Sequence, residues 1–133
     1  MAGRGRAIPV AGSIIRGMRR DLPTAPLAAA GMIAGYGAAV ASGSRPVGGV
    51  VLAGFGLTCA ALWLRRDGVR TAGVLTAVGL GSFALSHALG LVIGAWPAVA
   101  VAAAAVAAAS WRLSDSRRFT ANSRARAAAR SLI

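Results

Sequence analysis

Apolar residues fill long, charge-free runs along this chain, and charged residues are confined to the gaps between them. Leu22 to Ser44 is the first run, Pro46 to Leu64 the second and Thr71 to Trp111 the third. None shows the two-residue alternation of a half-buried strand or the one-sided stripe of a soluble helix, so each reads as a helix apolar all round. About 20 such residues cross the roughly 30 Å of a bilayer's hydrocarbon, so the first two runs each fit one crossing. As one helix the third would be about 60 Å long, twice the thickness available. It is expected to fold back near Gly90, Gly94 and the Trp96-Pro97 pair, because proline has no amide donor and disfavours helix in the residue before it. The pattern therefore predicts an all-α membrane protein, a four-helix transmembrane bundle over 23–113 with spans at about 25–43, 47–64, 71–92 and 97–113. A basic leader at 1–22 precedes it and a basic tail at 114–133 follows. The fourth span is built almost wholly of alanine and valine from Ala98 to Ala109, and relies on its neighbours for its place.

Composition agrees with lipid as the solvent. The chain has 133 residues, 56% of them apolar and only 14% charged, where a soluble domain carries about 25% charged residues. That hydrophobicity excludes disorder, and the lone Cys59 excludes a disulfide scaffold. All basic positions are arginine, and the acids are Asp21, Asp67 and Asp115 alone, giving a net charge of +12. Each aspartate sits beside arginines outside the apolar runs, which leaves little from which to build acid–base chemistry. No catalytic residue, cofactor or metal is expected.

Arginine near helix ends is retained on the cytoplasmic side. With four crossings every arginine but Arg45 falls on one side, so both termini are expected in the cytoplasm of a plasma-membrane protein; an odd number would split the clusters. A competing reading takes the basic start, the first apolar run and Ala39-Val40-Ala41 before Ser42 as a secretory signal. The long leader and long run favour an uncleaved first helix.

Helices in lipid associate through close backbone approach at small residues four apart. Gly31 and Gly35, continued by Ala39 and Gly43, form such a face on the first span. Gly49 with Ala53 and Gly56 with Ala60 do so on the second, and Gly73, Ala77 and Gly81 on the third. These faces suit packing within the chain, or against a second copy or a partner. A local echo pairs Trp63-Leu64-Arg65-Arg66-Asp67 with Trp111-Arg112-Leu113-Ser114-Asp115. Both segments set a tryptophan and arginine at the expected cytoplasmic interface, where such side chains are favoured.

His87 is the one ionisable residue inside the spans, about 7 Å from the outer end of the third. A hydrogen-bonded structural histidine is the plain reading. With Ser86 and Arg45 it is also the candidate polar or pore site, with Thr58, Thr76 and Ser82 as possible channel-lining hydroxyls. Metal binding with Cys59 fails within one subunit, because the two lie some 10 Å apart in depth while both ligand atoms must sit within about 2.3 Å of a metal. No span carries Asp or Glu, which removes the cation-coupled carriers, including the small multidrug-type antiporters that share this size and span count.

In the leader, Ile8, Val10, Ile14, Ile15 and Met18 alternate with Arg16, Arg19 and Arg20 as a short amphipathic segment. The tail carries Phe119 and Leu132 among its arginines. Anionic lipid headgroups are the expected partner of both ends, at about 1 kcal/mol per nearby basic residue. Nucleic acid is disfavoured by the lack of interleaved aromatics or a reading motif.

The segments Gly35-Tyr36-Gly37, Ser44-Arg45-Pro46-Val47-Gly48-Gly49-Val50-Val51-Leu52-Ala53, Ser86-His87 and Gly94-Ala95-Trp96-Pro97 resemble a group of small actinobacterial multispan membrane proteins of unassigned function. The resemblance covers about half the chain and implies no catalytic residues. The expected role is a non-enzymatic accessory or assembly subunit that packs through its glycine and alanine faces. A small homo-oligomeric channel and a phage-like lysis pore are the alternatives.

Overall fold

The computed structural model describes residues 22–132, so the leader lies outside the described residues except for Leu22. Every element among these residues is helical. Helix α1 spans Thr24–Ser42, α2 Arg45–Ile93 and α3 Ala95–Ser110; a π turn, Trp111–Asp115, then leads into α4, Ser116–Arg130. Three helices are long and apolar enough to cross a membrane: Thr24–Ser42, Arg45–Ile93 and the continuous Ala95–Arg130.

Helix α2 is two arms, 45–67 and 69–93, joined at Gly68, whose φ of 86° and ψ of 172° lie outside helical space. Only glycine enters that region without large cost. A straight 49-residue helix would be about 73 Å long and would hold Leu57 and Leu80 about 34 Å apart. Instead both line one open groove with Ala60, Ala61, Leu64 and Ala72, Gly73, Thr76 and Ala77, so the second arm turns back beside the first. Gly94 (φ 90°, ψ 159°) adopts almost the same conformation between α2 and α3. Gly43 closes α1 at φ 64°, its N–H donating to Val40 O at 3.3 Å.

The connections are shorter than the charge pattern suggested. The expected loop over 65–70 shrinks to Gly68 alone, with Arg65, Arg66, Asp67 and Arg70 all on helix. The break expected near Gly90, Gly94 and Trp96-Pro97 falls at Gly94, and Pro97 sits inside the first turn of α3, where its missing N–H has no intrahelical acceptor to lose.

The core is made of small groups. Ala28 and Met32 of α1 meet Cys59 and Trp63 of the first arm, Ala72 and Leu75 of the second, and Ala102, Ala103 and Val106 of α3. Apart from Leu75, Met32 and Val106, many of the large aliphatic side chains point outward: Val50 is 74% exposed, Leu57 72%, Leu85 70% and Leu91 90%. A water-soluble domain does the reverse, so this inside-out distribution is what a bundle bathed in hydrocarbon requires. Helices α1 and α2 approach most closely where side chains are smallest. A Cβ placed on Gly48 would lie 2.5 Å from Ala39 Cβ, one on Gly35 2.9 Å from Leu52 Cβ, and one on Gly31 2.6 Å from Phe55 Cβ.

Candidate functional site

Helix α1 begins without a cap of its own. Pro23 occupies the N-cap position and offers no side-chain acceptor, so the first amides of the helix need a partner from elsewhere. Asp115 supplies it from the far end of the chain. Its Oδ1 accepts from Thr24 N–H and Thr24 Oγ1, both at 3.0 Å, and its Oδ2 accepts from Ala25 N–H at 2.8 Å. A carboxylate against the positive end of a helix is also favoured by the helix dipole.

Around this carboxylate the ends of three helices are tied together. Trp63 Nε1 donates to Thr24 Oγ1 at 2.9 Å, Ser114 Oγ donates to Asp67 Oδ2 at 2.6 Å, and Arg66 Nη1 donates to Leu22 O at 2.6 Å. Thr24, Trp63, Ser114 and Asp115 are all buried. The π turn makes the double contact possible. Ser116 N–H reaches back five residues to Trp111 O, and the widened turn points Ser114 and Asp115 inward together while Trp111 and Arg112 stay exposed. Both oxygens of Asp115 are committed to helix donors. The arrangement therefore fastens the first, second and last apolar helices at the arginine-rich end.

One sequence reading changes here. The echo segments put Trp63 and Trp111 alike at the membrane interface, yet Trp63 is only 4% exposed and bonded inside the bundle, whereas Trp111 is exposed and sits 6.2 Å, centroid to centroid, from Phe119. The available signal was the unprotected Leu22-Pro23-Thr24 start, which calls for an acceptor, together with aspartates exactly one helical turn after each tryptophan.

Two of the candidate polar residues, Ser86 and His87, meet at one backbone carbonyl. Ser86 Oγ donates to Phe83 O at 2.7 Å, and His87 Nδ1 lies 2.9 Å from the same carbonyl, with its ring edge-on to Phe83 at 4.8 Å. His87 is on an exposed face of the second arm, while Arg45 is the exposed first residue of α2. Cys59 is buried in the core, away from that face. Thr58 donates to Gly54 O within its own helix. No group of three metal-ligating side chains occurs among the described residues. A small pocket of about 200 Å³ lies beside the clamp, lined by Leu22, Pro23, Trp111, Asp115, Arg118 and Phe119.

The small-residue faces divide in two. Gly31 and Gly35 lie against α2, whereas a Cβ on Gly49, Gly56, Gly73 or Gly81 would meet nothing within 4 Å. The closest approach in the fold belongs to Gly48, which the four-residue spacing did not single out. Comparison with known protein families, curated proteins and solved structures found no match.

Proposed function

We propose that this chain is a non-enzymatic cell-membrane protein that crosses the bilayer four times, with both ends in the cytoplasm, and serves as an accessory or assembly subunit. The turn-back at Gly68 supports dividing α2 into two spans, since its arms line one groove. The arginine distribution supports the orientation: Arg65, Arg66, Arg70 and Arg112 flank the clamp, and Arg45 stands alone at the start of α2.

The observation that carries the role is the set of unused glycines. Gly49, Gly56, Gly73 and Gly81 present bare backbone on faces with nothing packed against them, and in lipid bare backbone is what another helix packs on. The partner is a distinct membrane protein or a second copy. Purified in mild detergent, the protein is expected to run with companions or as a multiple of 13.2 kDa, and Gly73→Leu is expected to abolish that association while leaving its helix content and unfolding midpoint unchanged. A lone 13.2 kDa species that leaves liposomes tight would overturn the role. Labelling of either terminus from outside intact cells would overturn the topology.

One observation favours the channel as a second reading. His87 faces outward, where ionisable groups are disfavoured against lipid and where a neighbouring copy would enclose it. A channel predicts selective flux through liposomes that His87→Ala alters.

A further inference from the structure

The basic tail is helical from Ser116 to Arg130 and follows directly on the last apolar helix. From Ala95 to Arg130 the backbone stays helical, and the junction residues Ser110, Trp111, Asp115 and Ser116 all keep right-handed helical angles. Helix α4 therefore extends α3 through the π turn as one continuous helix, Ala95–Arg130. The clamp fixes that turn, because Ser114 and Asp115 are bonded to Asp67, Thr24 and Ala25. Among the described helices α4 packs only on the π turn before it; its first turns line the pocket beside Leu22 and Pro23, and none of its residues is fully buried.

Distance then separates its arginines from lipid. At 1.5 Å per residue Arg124, Arg126 and Arg130 stand about 14, 17 and 23 Å beyond Asp115, which shares the level of Leu22 and Asp67. Electrostatic attraction at physiological salt decays over about 8 Å. The headgroup plane thus holds Arg117 and Arg118 far better than the three distal arginines. At 100° per residue Arg124 and Arg126 project from nearly opposite sides of the helix, and no acidic residue lies between Ser116 and Leu132.

The shape of this rod selects among anionic partners. A protein groove grips a helix by an apolar stripe, and α4 has only Phe119 as a large apolar residue. The same lack disfavours an interfacial position in the leaflet. Its remaining surface is alanine, serine, threonine and asparagine, slim enough for the major groove of DNA, which is about 12 Å wide and admits a helix. Guanidiniums on opposite flanks then reach the phosphates of both strands, each capable of paired hydrogen bonds. The corresponding groove of RNA is too deep and narrow for this.

We propose that α4 binds the phosphate backbone of duplex DNA, without sequence preference, at the cytoplasmic face of the membrane. This rests on the membrane reading above. The test reconstitutes the full chain in phosphatidylcholine nanodiscs, which expose both faces and carry no net lipid charge, and titrates a fluorescent mixed-sequence 30-base-pair duplex at several salt concentrations. Wild-type protein is expected to bind. Replacing Arg124, Arg126 and Arg130 together by alanine is expected to weaken binding more than tenfold at low salt, and to flatten the slope of log affinity against log salt by about 2.7, or 0.9 for each lost phosphate contact. These positions are exposed, so the fold is retained. The inference is overturned if the wild type does not bind, if the triple variant binds equally well, or if polyglutamate competes as strongly as DNA. It is overturned in favour of lipid if phosphatidylglycerol discs abolish duplex binding. Failure to enter discs at all sinks the membrane reading instead.

Discussion

Asp115→Ala is expected to destabilise the bundle by about 3 kcal/mol, the largest effect of any single side-chain truncation at the arginine-rich end. The carboxylate is 6% exposed and accepts three hydrogen bonds, so its removal leaves two helix amides and the Thr24 hydroxyl without their acceptor. Breaking a buried charged contact on one side costs far more than the contact contributes on balance, because the stranded partners stay desolvated. Asp115→Asn keeps one acceptor and is expected to cost about half as much. Trp63→Phe loses the indole bond to Thr24, worth about 1 kcal/mol, and the smaller ring leaves a gap in the core that adds to that cost. Ser110→Ala serves as the contrast: this hydroxyl is fully buried with no hydrogen-bond partner, so its removal is expected to be neutral or stabilising. Reversible unfolding in mixed detergent micelles measures the series. Equal midpoints for Asp115→Ala and wild type would show that the clamp is not a source of stability.

Gly48→Leu is expected to force α1 and α2 apart at a cost of about 2–3 kcal/mol. The first added carbon already meets Ala39 Cβ and Gly35 O at 2.5 Å, and neither can give way, since one is a Cβ fixed to its helix and the other is backbone. One position further on, a Cβ on Gly49 meets nothing within 4 Å, so Gly49→Leu is expected to stay within about 0.5 kcal/mol of wild type. Two identical substitutions at adjacent glycines thus separate packing within the chain from packing against something else. If both variants unfold alike, the α1–α2 interface is wrong.

Helix placement was legible because membrane spans are set by length and lack of charge, and the ends of α1 and the break before α3 fall within a few residues of the positions read from the sequence. The brevity of the turns was not. Charge marks where a chain leaves lipid, but says nothing of how few residues are needed to reverse it; that depends on the backbone angles open to Gly68 and Gly94. Close packing at Gly31 and Gly35 was readable from four-residue spacing, while Gly48 makes the tightest approach through its position opposite Ala39, which no one-dimensional spacing records. The clamp was hidden for a related reason. Thr24 and Asp115 are 91 residues apart, and the uncapped start of α1 calls for an acceptor without saying which of the three aspartates supplies it.

That separation also orders events during synthesis. The start of α1 emerges early, but its acceptor is translated 91 residues later, roughly 5 to 18 seconds afterwards at about 5–20 residues per second. Until then two amides at the mouth of the first helix have only water or a chaperoning protein to satisfy them. A nascent chain cut short before Asp115 never seals that mouth, so the clamp forms only after almost the whole bundle has been made.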